Sequence, residues 1–240
     1  MIIIRSILFN VLFYLAILFY LVVALPTLVM PYRAIVEVGR WWARTNLWLL
    51  RVVCGIRLDI VGREKIPQGA LIVAAKHQSV LETFALVLLF ADPTYIAKRE
   101  LMWIPWFGWC LWKAQLIPVD RGARAQALKA LTARTRVELN RGRQIIIFPE
   151  GTRRAPGAPP AYKYGVAHLY AETGVPCLPI ALNSGLAWGR RTFKRYPGTV
   201  TFAILDPIPP GLDKEAMMAR LQQDIETATA RLIAGIAPVS

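Results

Sequence analysis

Cysteine and histidine are scarce in this chain of 240 residues, and each shortage excludes something. The three cysteines, Cys54, Cys110 and Cys177, are odd in number, far apart and set in apolar surroundings, so neither a disulfide framework nor a zinc cluster is written here. They read as small buried hydrophobes in a reducing compartment. Only two histidines, His77 and His168, are present, too few for a three-histidine metal centre. Internal repeats and low-complexity tracts are missing, which removes solenoids and disordered tails. No helix-turn-helix, zinc-finger or RRM signature is present, so nucleic acid is not the expected partner.

Acidic residues are also few: 15 Asp and Glu stand against 29 Lys and Arg, a formal charge of +14. Such a balance draws anionic partners through long-range fields. Hydrophobic residues make up 55 % of the chain, above the usual share for a water-soluble domain. Membrane contact reconciles the two facts, with an anionic phospholipid surface as partner. The length allows one sizeable core and an appendage.

Residues Ile7 to Leu25 form an apolar run broken only by Asn10, long enough to cross a bilayer as a helix and stopped by Pro26 and Pro31. Its length and the lack of a small-residue cleavage site argue against a signal peptide. A second segment, Arg33 to Ile56, mixes Trp41, Trp42 and Trp48 with Arg40, Arg44 and Arg51. It reads as an interfacial helix whose rings suit the headgroup zone and whose arginines snorkel outward. Whether the first segment spans or forms one arm of a hairpin stays open; both arrangements put the rest of the chain on the cytoplasmic side, the first through its excess of arginine after the span. Residues 1–56 are therefore expected to be membrane-associated helices and 57–240 an α/β domain.

From Arg57 on, short β-rich runs alternate with helical ones. Strands are expected at 57–61, 70–75, 94–97, 144–148, 177–182 and 200–204. A helix near 122–141 carries Leu128, Leu131, Thr135 and Leu139 on one face. A C-terminal helix buries Met217, Leu221, Ile225 and Leu232, with Asp213 as its N-cap. Trp103, Trp106, Trp109 and Trp112 recur every third residue around Pro105 and Gly108, which break regular helix; they line an acyl channel, rest at the interface or pack in the core, the last being the commonest fate. His168 sits in a helical run without a motif and reads as structural.

Chemistry concentrates in Lys76-His77-Gln78-Ser79-Val80-Leu81-Glu82-Thr83. His77 follows an apolar strand and precedes a helix, a turn that presents side chains at a sheet edge. There its ring can take a proton from an attacking hydroxyl, with Glu82 orienting and stabilising the protonated form. A second reading of the same residues is the capping box Ser-x-x-Glu, in which Glu82 only satisfies a backbone N–H. Downstream, Phe148-Pro149-Glu150-Gly151-Thr152-Arg153 ends a strand with a glycine that permits close backbone approach and a forked cation suited to phosphate.

His77 with Glu82, the segments Ala97-Lys98-Arg99-Glu100 and Ile117-Pro118-Val119-Asp120-Arg121, the hexapeptide 148–153 and Val175-Pro176-Cys177-Leu178-Pro179-Ile180 occur jointly and in the order seen in the lysophosphatidate acyltransferases, and the stretch from Arg57 to Leu182 resembles that family. Its members carry His-x4-Asp; this chain has Glu82 where the aspartate stands, one methylene longer with the charge kept. The resemblance implies a glycerophosphate acyltransferase-like mixed sheet flanked by helices, with an N-terminal membrane-associated pair. It implies transfer of a fatty acyl group from acyl-CoA or acyl carrier protein to the free hydroxyl of 1-acylglycerol 3-phosphate, giving phosphatidate. His77 and Glu82 would be catalytic, and Lys98, Arg121, Glu150, Gly151, Thr152 and Arg153 would hold the glycerol phosphate, with no metal and no bound cofactor. Glycerol 3-phosphate and a lyso-ornithine lipid remain alternative acceptors, and a non-catalytic basic lipid-binding protein remains an alternative class.

Overall fold

The computed structural model describes residues 1–119 and 124–235. Arg121, expected at the phosphate, and its neighbour Asp120 lie outside them. Seven strands form one sheet in the order β1-β7-β6-β2-β5-β3-β4: β1 Ile56–Val61, β2 Leu71–Ala75, β3 Pro93–Lys98, β4 Ile117–Val119, β5 Gln144–Ile147, β6 Cys177–Leu182 and β7 Gly198–Ile204. Strands β2 to β6 are mutually parallel; β7 pairs antiparallel to β6 and parallel to β1, so the last two run the other way. The mixed α/β sheet is the fold expected from the sequence. Strand β4 was not among the expected strands, because Ile117-Pro118-Val119 is too short to show a period.

The central strands β2, β5 and β6 are buried along their whole length, which is why they read as unbroken apolar runs. Alternation sends Leu71, Val73 and Ala75 into one core with Leu178, Ile180 and Phe202, and Ile72 and Ala74 into the other with Ile145 and Cys177. Helices cover both faces. On one side lie α1 Ile2–Ala24, α2 Tyr32–Leu49 and α3 Leu81–Ala85; on the other lie α5 Arg124–Asn140, α6 Gly165–Thr173 and α8 Lys214–Ile233. Met217, Leu221, Ile225 and Leu232 are buried as their spacing predicts. Asp213 caps α8 by accepting from the Ala216 N–H at 2.7 Å.

Helix α1 begins at Ile2, ahead of the expected Ile7, and passes Pro26 as a 3-10 turn over Leu25–Val29. Apolar enough over Ile2–Val29 to cross a membrane by length and composition, it nonetheless docks on the domain. Phe9 and Phe13 are buried among Trp188, Trp42 and Phe84. The one polar break in the run has a partner: Asn10 Oδ1 accepts from Arg195 Nη2 at 2.9 Å, and Ser6 Oγ accepts from the Arg195 N–H at 2.9 Å. Arg195 is buried, stacked 4.1 Å from the Trp188 ring, and burial lowers its pKa to about 10, still charged at neutral pH. Helix α2 returns alongside α1, joined by Tyr20 Oη and Thr45 Oγ1 at 2.8 Å, so the pair is a hairpin with its turn at 25–31.

Of the arginines expected to snorkel, Arg44 and Arg51 are exposed. Arg40 is not: it turns inward to the Phe90 and Ala91 carbonyls at 2.9 and 2.6 Å, tying α2 to the loop after α3. The four tryptophans from 103 to 112 are all exposed, against the packing expected of aromatics. Trp103 and Trp106 precede α4 Phe107–Lys113 and Trp109 and Trp112 lie in it, while its Cys110 and the following Ala114 pack on Ala24, Ile35 and Val38 of the hairpin. Gly108, expected to break helix, lies within α4. It is there because a Cβ would stand 2.1 Å from the Met102 carbonyl oxygen.

Candidate active site

In this sheet the carboxyl ends of β2, β3, β4, β5 and β6 share one edge, and the site gathers there. His77 leaves the end of β2 two residues after Ala75. Its Nδ1 lies 3.0 Å from Glu82 Oε1, and its ring stacks on Phe148, the residue after β5, with centroids 4.0 Å apart. The side chain is 13 % exposed and the Glu82 side chain is fully buried.

Glu82 does both things that the sequence allowed. Its Oε1 accepts from the Gln78 and Ser79 N–H groups at 2.6 and 2.5 Å, closing the turn before α3 as a capping box does, while Ser79 Oγ accepts from the Leu81 N–H at 3.2 Å. The same oxygen faces the imidazole. A carboxylate accepts and never donates, so Nδ1 carries the hydrogen and Nε2 keeps its lone pair. The second oxygen is held too: Ser184 Oγ donates to Oε2 at 2.8 Å.

Ser184 opens the short helix α7 Ser184–Ala187, just past β6. Its neighbour Gly185 donates its N–H to Gln78 Oε1 at 3.0 Å. No larger residue fits there, because a Cβ would lie 2.7 Å from Pro156 Cγ and 3.1 Å from Gln78 Cβ. Sequence reasoning missed Ser184. The available signal was its position, the first residues beyond a parallel strand's carboxyl end.

The hexapeptide 148–153 lies beside His77, joined through backbone. The His77 N–H donates to Glu150 Oε2 at 3.1 Å, and the His77 carbonyl accepts from the Arg154 N–H at 2.8 Å. Glu150, expected to touch the glycerol phosphate, has its carboxylate directed elsewhere. It is 1 % exposed, and Oε1 takes Lys76 Nζ at 2.9 Å. Its geometry is that of a residue positioning His77. Gly151 supplies a left-handed turn at φ 65°, its N–H donating to the Phe148 carbonyl at 2.9 Å. Thr152 is exposed and Arg153 half-buried, with the Arg153 carbonyl accepting from Arg190 Nη1 at 3.2 Å.

Lys98 ends β3 on the same edge, half exposed and 3.1 Å from Glu100 Oε1. An exposed ion pair of this kind is worth ~0–1 kcal/mol, so a phosphate can displace it at little cost.

Behind His77, Lys76 is 2 % exposed and bridges Glu150 and Glu226 Oε1, the latter at 2.6 Å from α8. Tyr162 Oη donates to that Glu226 oxygen at 2.9 Å; burial first, and Glu226 next, hold the phenol well above its usual range and therefore neutral. Lys76→Met would leave Glu150 charged in a dry site. We expect a loss of about 3–5 kcal/mol, enough to lower Tm by roughly 10 °C in a chain of this size, read by thermal unfolding in detergent. An unchanged Tm would refute the buried pairing. His168 lies elsewhere: its Nε2 is 3.1 Å from Thr132 Oγ1 between α6 and α5, and burial, then Lys214, lower its pKa.

Comparison with known proteins follows the same lines. Residues 57–183 match the family model described as Acyltransferase. Over 212 residues the chain is 36 % identical to a 1-acyl-sn-glycerol-3-phosphate acyltransferase of Pseudomonas aeruginosa, covering 88 % of this chain and 82 % of that protein. It is 32 % identical over 164 residues to a protein of the same name from Limnanthes alba, covering 68 % and 57 % of the two chains. A crystal structure of the 1-acyl-sn-glycerophosphate (LPA) acyltransferase PlsC from Thermotoga maritima superposes with a TM-score of 0.80 over 98 % of each chain at 23 % identity, a likeness of fold.

Proposed function

This chain belongs to the acyltransferase family, and from that premise we propose that it moves a fatty acyl group from an acyl thioester to the free hydroxyl of 1-acyl-sn-glycerol 3-phosphate, giving phosphatidate. The observation that carries this reading is the His77 ring fixed at Nδ1 by a buried carboxylate at the edge where the 148–153 loop lies. Nε2 removes the proton from the acceptor hydroxyl as its oxygen attacks the thioester carbonyl. The C–S bond of the resulting tetrahedral adduct then breaks, and the proton leaves with the thiol. The alcohol is itself the nucleophile, so no side chain forms a covalent intermediate. Glu82 stabilises the imidazolium while it lasts. The reaction as written needs no metal or bound cofactor; acyl-CoA or acyl carrier protein enters as co-substrate.

Arg153 and Lys98 supply positive charge to the phosphate, joined by Arg190, whose guanidinium reaches the Arg153 carbonyl. Arg153→Lys keeps a charge and loses the fork that grips two phosphate oxygens. We expect KM for the phosphate-bearing acceptor to rise about tenfold with Tm unchanged; acceptor kinetics equal to wild type would refute this placement.

The protein acts at a membrane surface. Ile3, Ile7, Val11, Tyr14, Leu18 and Val22 leave an apolar face uncovered along α1, and the exposed tryptophans in and before α4 lie near the turn of the hairpin, where Cys110 packs on Ala24 and Ile35. With Phe9 and Phe13 against the domain, α1 is a hairpin arm resting in one leaflet, cytoplasmic by the arginine bias. Purified protein in mixed micelles, offered labelled acyl thioester with 1-acylglycerol 3-phosphate, glycerol 3-phosphate and a lyso-ornithine lipid, tests the reading. Phosphatidate is the expected product; labelling of another acceptor, or of none, would overturn it.

A further inference from the structure

A groove of about 500 Å³ opens between the end of α2, the edge strand β1 and the segment after α3, and it shares no residue with the His77 site. Leu47 and Leu58 contribute to its apolar lining, Trp48 stands at it with 60 % of its surface exposed, and Arg51, Arg57 and Arg63 bring three guanidiniums to it. Among the described residues, none of these three arginines has a carboxylate or a hydrogen-bond acceptor for its side chain. Elsewhere on the surface, arginines such as Arg136 and Arg220 have paired with nearby acids. The groove combines three uncompensated cations, an apolar bed and an aromatic ring of the kind that settles at headgroup level.

We propose that this groove holds one anionic glycerophospholipid. Its phosphate meets Arg51, Arg57 and Arg63, and the start of an acyl chain lies over Leu47 and Leu58. The apolar bed selects a lipid over free phosphate, since the anion alone leaves that surface wet. The charge selects an anionic headgroup over choline, whose own ammonium would meet the same guanidiniums. Trp48 shares its exposed helix face with Trp41 and Arg44, seven and four residues back, which continues the groove into the interfacial surface of α2. Bound there, the lipid anchors the junction where the hairpin enters the sheet.

Native mass spectrometry of the full chain released from neutral detergent, titrated with phosphatidylglycerol or phosphatidylcholine, tests this. We expect wild type to retain one phosphatidylglycerol in preference to phosphatidylcholine, and the triple variant Arg51→Gln, Arg57→Gln, Arg63→Gln to bind it about tenfold or more weakly. Arg57→Gln alone, on an exposed edge strand, should show part of that loss. Lys129→Gln, Arg136→Gln, Arg220→Gln removes the same charge from other exposed positions and should bind as wild type. His77→Ala should also retain the lipid, which separates this site from the acceptor site whatever the enzyme's acceptor proves to be. Equal retention by the groove variant, equal loss in the control variant, or displacement by millimolar inorganic phosphate would each overturn the proposal.

Discussion

His77→Ala is expected to lower turnover by about 10³-fold while leaving the fold intact. Among the described residues the imidazole is the group at this edge placed to take the hydroxyl proton, and positioned general bases contribute ~10²–10⁴ in rate. Its backbone ties to Glu150 and Arg154 use the His77 N–H and carbonyl, which alanine keeps, so the 150–154 loop should stay in place. The ring's stacking on Phe148 is lost, a modest packing change at a partly exposed site. The measurement is a single-turnover rate in mixed micelles beside a thermal melt. Diacyl product formed at the wild-type rate by a folded variant would end the general-base assignment.

Glu82→Gln should reduce turnover about 10²-fold or more with little change in KM or stability. The glutamine carbonyl oxygen can take the place of Oε1, accepting from Gln78, Ser79 and His77, because turning the NH2 toward two backbone N–H groups would set donors against donors. The NH2 then faces Ser184 Oγ, which rotates to accept. The imidazole keeps its tautomer and the cap its bonds; only the charge that stabilises imidazolium is gone. Glu82→Asp tests reach. A side chain one methylene shorter cannot meet Ser184 and both amides from the same backbone, so a partial loss of rate with a lowered Tm is expected. Turnover of Glu82→Gln within twofold of wild type would reduce Glu82 to a cap.

Much of this arrangement was legible in the chain. The apolar runs at 70–75, 144–148 and 177–182 announced strands, and the sheet order then showed why they are so apolar: a parallel strand covered on both faces is buried throughout. The capping box placed the start of α3, and the spacing of His77 and Glu82 placed ring and carboxylate within reach across one turn. What stayed hidden depended on long-range meetings. Ser184 is 102 residues from Glu82, and Glu226 is 150 from Lys76. A serine after a strand and a glutamate on a helix look ordinary until the sheet brings them together. The burial of Glu150 and the exposure of the four tryptophans, whose place was left open between channel, interface and core, were hidden for the same reason: a motif gives a residue's neighbours along the chain, and burial is decided by neighbours in space.

Composition and order alone marked a basic chain with an apolar N-terminal run and an α/β pattern, and its short motifs carried the resemblance to the lysophosphatidate acyltransferases, because charge balance, run length and motifs are local properties that survive without a fold. Tertiary structure decided which way each polar group points: that Asn10 and Ser6 meet Arg195 and hold α1 against the domain, that Arg40 turns inward, and that Glu82 serves cap, imidazole and Ser184 at once. The physical reason is desolvation. Whether a buried donor or charge is tolerated depends on the partner that the sheet order delivers, and that partner lies tens to hundreds of residues away.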